Sequence, residues 1–98
     1  MRTPRRGRRS ELDERQVHLL RLRHELIRLG VRVRVRKPRN GRWKLKLRTP
    51  TGWTETVLCA GAEGVYVYVT AHGRLLGRVQ DARIVARTLV WMLDRRRR

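Results

Sequence analysis

Val31-Arg32-Val33-Arg34-Val35-Arg36 alternates apolar and basic residues one for one, and Arg42-Trp43-Lys44-Leu45-Lys46-Leu47-Arg48 repeats the pattern after a short break. Successive side chains of a strand point to opposite faces, so each segment predicts a half-buried β-strand with one apolar and one cationic face. Residues directly opposite each other in an antiparallel pair share a face, so Val must meet Leu and Arg must meet Lys. A two-residue Asn40-Gly41 turn would set Val35 against Lys46 and fails that condition. An odd loop of three or five residues centred on Asn40, with Gly41 left-handed, pairs Val35 with Leu45, Val33 with Leu47, Arg34 with Lys46 and Arg36 with Lys44. Pro38 cannot donate to the ladder and favours the five-residue form.

Upstream, Ser10-Glu11-Leu12-Asp13 reads as a helix start with Ser10 as N-cap and acids in the first turn. Leu12, Leu19, Leu20, Leu22, Leu26, Ile27 and Leu29 then gather into one wide apolar stripe, leaving Glu14, Arg21, Glu25 and Arg28 outside. Gly30 is the expected stop. Downstream, Thr49-Pro50-Thr51-Gly52 is a turn signal, and Trp53 to Ala60 predicts a third strand. Either Trp53, Glu55, Val57 and Cys59 or Thr54, Thr56, Leu58 and Ala60 face its interior. After a turn at Gly61-Ala62-Glu63-Gly64, Val65 to Thr70 alternates again, with Val65, Val67 and Val69 on one face and Tyr66 and Tyr68 on the other. Ala71-His72-Gly73 turns the chain once more. Asp81 is placed to cap a final helix lined by Ala82, Val85, Ala86, Leu89, Val90, Met92 and Leu93, with Ile84, Thr88 and Trp91 opposite. The expected fold is α+β: a helix, an antiparallel sheet of four strands, or five if Arg74–Val79 pairs, and a second helix, both helices on one sheet face. Residues 10–94 form one domain between a disordered basic arm (1–9) and a basic tail (95–98).

Charge changes this picture most. Lys and Arg total 26 against 8 Asp and Glu, a formal net charge of +18, well beyond what solubility requires, and it points to polyanionic partners. All but Lys37, Lys44 and Lys46 of those basic residues are Arg, which suits phosphate and guanine edges and equally suits a GC-rich coding bias. The outer face of the first hairpin carries Arg32, Arg34, Arg36, Arg42, Lys44, Lys46 and Arg48 with no carboxylate. Like charges opposite each other destabilise a sheet, so such a face is built for an anion. With the valines of 65–69 turned inward, Tyr66 and Tyr68 join it, either to stack on bases or to pack over neighbouring Arg stems. Arg6 and Arg8 in the arm extend the phosphate contacts. Ile84 and Trp91 mark a partner or homodimer contact, unless they tuck under the N-terminal segment.

The remaining chemistry is sparse. His24-Glu25-Leu26-Ile27-Arg28 opens like a zinc-protease signature, but a cation stands where the second ligand belongs. His18, His24, His72 and Cys59 lack metal-ligand spacing. A single cysteine excludes an internal disulfide, and no apolar run suits a signal peptide or a membrane span, so a cytoplasmic location is the default. No Gly-rich phosphate loop is present. The expectation is a non-enzymatic protein without cofactor, metal or small-molecule substrate that binds nucleic acid, DNA or RNA. The alternative is an interaction module, a dimer or chaperone-like adaptor, holding an acidic partner.

Three resemblances accompany these residues. Pro4-Arg5-Arg6-Gly7-Arg8 resembles the AT-hook core, with an extra Arg and no closing Pro. The order of elements over residues 10–93 is similar to the α-β-β-β-α topology of the double-stranded-RNA-binding domain, which implies RNA binding. That family's lysine-rich entry to the second helix would fall near Arg78 to Arg83, where its Lys-Lys-x-Ala-Lys pattern is absent. Gly64 to Leu93, a Val/Tyr strand, a Gly turn, an Asp cap and an Ala/Val/Leu helix, resembles the C-terminal part of small uncharacterised actinobacterial proteins, some similar in outline to type III secretion chaperones. That likeness implies no activity.

Overall fold

The computed structural model describes the backbone of residues 3–39, 41–50 and 52–96, with side chains from Glu14 to Arg95 outside the two loop positions. Helix α1 (Thr3–Arg28) leads into strands β1 (Arg32–Arg36), β2 (Lys44–Arg48), β3 (Thr54–Ala62), β4 (Val65–Thr70) and β5 (Leu75–Arg78). A 3-10 turn at Val79–Asp81 then enters helix α2 (Ala82–Arg96). The strands form one antiparallel meander in the order β1-β2-β3-β4-β5, two more strands than the double-stranded-RNA-binding topology has. Both helices pack on the sheet and enclose one core with it.

The α1 backbone is already helical well before Ser10 and passes straight through it, so Ser10 is not the N-cap. At its other end the expected stop is present. Gly30 takes φ +83°, its N–H reaches the carbonyl of Ile27, and the Val31 N–H reaches that of Leu26. These two bonds satisfy carbonyls the helix would otherwise orphan, while Val31 tucks into the core beside Leu26.

Only part of the predicted α1 stripe is covered. Leu19, Leu22 and Leu26 are fully buried, whereas Leu20, Ile27 and Leu29 remain 39–48% exposed. The sheet touches one side of the helix and α2 an adjoining one, so a stripe this wide exceeds the area available to cover it. Glu25, expected in solvent, is half-buried and faces Arg83 Nε of α2 at 3.8 Å. On α2, Ala82, Val85, Ala86, Leu89 and Leu93 are buried as the spacing predicts, and Ile84 and Trp91 are exposed. Arg95 and Arg96 belong to the helix rather than to a separate tail.

The predicted turn at 61–64 is tighter than four residues. β3 continues through Ala62, leaving Glu63 and Gly64 as a two-residue connection with φ +56° and +83°. Paired left-handed residues match the twist of a hairpin, and the glycine adopts that conformation without steric cost. β5 is a true strand paired with β4, interrupted by an irregularity at Tyr68/Val69.

Candidate nucleic-acid interface

The first hairpin has the register that face-matching requires: Arg32 opposite Arg48, Val33 opposite Leu47, Arg34 opposite Lys46, Val35 opposite Leu45 and Arg36 opposite Lys44. Its strands separate at Arg36 and Lys44, so the connection is odd but spans 37–43, longer than five residues. Asn40, on which the shorter loops were centred, lies outside the described residues. Leu45 and Leu47 are fully buried, and Val33 and Val35 pack against the core. Their neighbours Arg32, Arg34, Arg36, Lys46 and Arg48 are exposed, and Lys44 is half-exposed. Arg42 is exposed in the connection.

These cations line a continuous series of shallow depressions. One of about 550 Å³ runs over Arg32, Arg34, Arg36, Lys46 and Arg48. It shares Arg32 and Arg48 with a second of about 520 Å³ near Gly30 and Gly52, and Arg36 and Lys46 with a third of about 260 Å³ near Pro38. Same-face residues on a strand recur roughly every 6.6–6.8 Å, close to the separation of successive phosphates along one nucleic-acid strand. Two such rows lie side by side, about 4.8 Å apart.

β3 resolves the choice its sequence left open. Glu55, Val57 and Cys59 are buried, while Thr54, Thr56, Leu58 and Ala60 turn to the open face. Thr56 stands opposite Lys46 and Thr54 opposite Arg48, so hydroxyls border the cations. Glu55 is a carboxylate on the inner face, only 7% exposed, and accepts the Thr56 N–H at 3.1 Å. It also reaches the lining of the depression over Arg34 and Lys46, so the trough is not wholly cationic. Sequence alternation alone left this residue's direction undecided.

The tyrosines are a correction. Tyr66 and Tyr68 are 2% and 0% exposed and lie in the core, with Val65, Val67 and Val69 on the open face instead. The Tyr68 hydroxyl donates to the main-chain carbonyl of His18 at 2.6 Å, and the Tyr66 ring sits 5.2 Å from the His18 imidazole. α1 thus supplies an acceptor and a ring surface above β4. Tyr68 fills that depth and satisfies its hydroxyl, which a valine cannot do. Neither ring can stack on a ligand at the basic face. The exposed aromatic residues are Trp53, at the entry to β3, and Trp91 on α2, where the Arg95 guanidinium lies 4.8 Å from the ring centroid.

Burial also sets the chemistry of the interior. The Cys59 thiol is pushed up to about 11 by burial, an effect the nearby Arg15 opposes, so it is a poor nucleophile at neutral pH. Tyr68 is driven well above the usual phenol range, chiefly by burial. His18 is held below its ordinary value by burial, then by the positive charge of Arg21. Arg15 donates to the Gly61 carbonyl, tying α1 to the end of β3. Among the described residues no three His, Cys, Asp or Glu side chains gather as a metal site, and no helix is long and apolar enough to cross a membrane.

The side chains of Arg6 and Arg8 lie outside those described. Ile84 and Trp91 are on the outer surface of α2, 64% and 58% exposed, and neither lines the depressions over the cationic strands. The chain matches no protein-family model, no curated protein and no solved structure.

Proposed function

We propose that this protein is a non-enzymatic nucleic-acid-binding protein whose β1–β2 face holds the phosphate backbone. One observation carries the reading: Arg32, Arg34, Arg36, Lys44, Lys46 and Arg48 stand in paired register on one sheet face, over connected depressions in whose lining the inward-turned Glu55 is the single acidic residue among those described. Packing so many like charges opposite one another costs stability, and a polyanion removes that cost. With the tyrosines in the core, the face offers guanidinium and ammonium groups but no stacking rings, so it grips backbone rather than bases.

The test is the salt dependence of binding to a labelled duplex of arbitrary sequence. Neutralising six phosphates gives log affinity against log salt a slope of about −5, or about −4 on a single strand. A flat dependence, or no binding at low salt, overturns the reading.

A second reading, an interaction module using the outer surface of α2, rests on the exposure of Ile84 and Trp91. The Arg95 guanidinium already occupies one side of the Trp91 ring, which lowers the apolar area left for a partner. Trp91→Ala leaving the sedimentation behaviour and partner binding unchanged would remove this reading.

A further inference from the structure

The cationic trough is narrow and long, and both dimensions bear on what fits it. Across the sheet it is two strands wide: β1 is an edge strand, and beyond β2 neither β3 nor β4 contains a Lys or Arg. Along the strands it continues past both ends of the hairpin. The middle depression shares Arg32 and Arg48 with the one near Gly30 and Gly52, and Arg36 and Lys46 with the one near Pro38, where Lys37 adds a further cation. The trough therefore follows β1 and β2 rather than crossing them. Arg32 to Arg36 spans about 13 Å at about 3.3 Å per residue, room for about three phosphates, and the two end depressions extend this to about five or six.

Building on the nucleic-acid reading above, we infer that the trough takes a single unpaired strand, DNA or RNA, lying parallel to β1 and β2. The pairs Arg32 and Arg48, Arg34 and Lys46, and Arg36 and Lys44 each hold one phosphate between them, which removes the like-charge repulsion pair by pair. Thr54 and Thr56 wall the trough beside Arg48 and Lys46 and offer hydroxyls to the same oxygens. The bases turn outward, away from the cations, so the trough selects no sequence.

A duplex fits this shape poorly for two reasons. Two cation rows about 4.8 Å apart converge on one backbone, whereas the second backbone of a duplex lies across a groove about 6 or 12 Å wide. That backbone would hang over β3 and β4 or off the β1 edge, where the strands offer it no cation. A duplex also turns once in about 10 base pairs, so about five phosphates along, a strand that began in the trough has wound to the far side. Duplex stiffness, which persists over about 150 base pairs, prevents that strand from being straightened. An unpaired strand is free to follow the trough from end to end.

The test is fluorescence anisotropy over a range of salt around 150 mM. The probes are a labelled mixed-sequence DNA strand of about 12 nucleotides, the same strand annealed to its complement, its RNA counterpart, and shortened strands of about 3 and 6 nucleotides. The expected result is that the unpaired strand binds the wild type about tenfold or more tightly than the annealed duplex. DNA and RNA strands bind within a few-fold of each other, and affinity climbs steeply from about 3 to 6 nucleotides and little thereafter. Arg36→Gln with Lys44→Gln, which removes the cation pair at one end, lowers affinity for the longest strand by about tenfold and shortens the length at which affinity levels off; circular dichroism verifies its fold, and the wild-type comparisons need no variant. A duplex bound as tightly as the unpaired strand, with affinity still falling as salt rises, overturns the single-strand inference and leaves the nucleic-acid reading standing. Affinity that climbs as steeply beyond about 6 nucleotides as before, or a hundredfold preference between DNA and RNA, overturns the placement of the backbone along the hairpin. Absence of salt-sensitive binding to every probe removes the inference and the reading together.

Discussion

The first and second hairpins obey the same alternation and resolve it in opposite ways. In β1 and β2 the valines and leucines turn to the core and the charged residues to solvent. In β4 the valines turn out and the aromatic residues turn in. The difference lies in what competes for the interior. A guanidinium or ammonium group cannot be buried unpaired, so the aliphatic residues of the first hairpin meet no rival. In β4 both sets are apolar enough to bury, and the larger one wins because α1 stands above it with a carbonyl for the Tyr68 hydroxyl and a histidine ring against Tyr66. The consequence reaches the open face, which is cationic over one hairpin and aliphatic over the other.

The largest effect expected on this contrast is from Tyr68→Ala, which should cost about 3–5 kcal/mol in denaturant unfolding, while Val67→Thr on the same strand stays within about 0.5 kcal/mol. A similar cost for both would mean that the faces of β4 are not distinct. Next comes Arg34→Glu with Lys46→Glu, expected to lower duplex affinity by roughly a hundredfold at low salt and to leave the unfolding midpoint unchanged or higher, since the new carboxylates, although opposite each other, are surrounded by Arg32, Arg36, Lys44 and Arg48. Loss of folding in that double variant would mark these residues as structural. Tyr68→Phe removes one buried hydrogen bond and should cost about 1 kcal/mol, with no change in nucleic-acid affinity; a drop in affinity would return the tyrosine to the binding face.

The smallest effect is the pH dependence from His18. Its folded pKa lies below the ordinary value of 6.5, so as pH falls through 6.5 the unfolded chain takes up a proton before the folded one. Stability attributable to this group is present above pH 6.5 and is lost as pH falls through the folded pKa. Comparing His18→Gln with the wild type over that window should show a shallower slope for the variant; identical slopes would separate His18 from the acid response.

How much of this was legible in the sequence depends on whether charge or packing decided it. The register of Arg34 with Lys46 was readable because the chain offered one way to keep aliphatics inward. The same rule left Glu55 undecided, since β3 carries threonines and apolar residues on both of its faces. Gly30 stops α1 as expected because its left-handed conformation and the two bonds it allows are local. The helix start was misplaced at Ser10 because a capping pattern does not prevent helix from continuing on its N-terminal side.

The sequence by itself therefore determined the α+β order, the first hairpin's register and the cationic outer face of that hairpin, since solvation of charge and the two-residue period of a strand are properties of the chain alone. Tertiary structure decided that Tyr66 and Tyr68 belong to the core, that Leu20 and Ile27 remain partly exposed and that an aliphatic surface adjoins the cations. Those outcomes depend on which apolar groups find a partner of matching depth across the sheet, and that partner, α1, lies about fifty residues away from the tyrosines it covers.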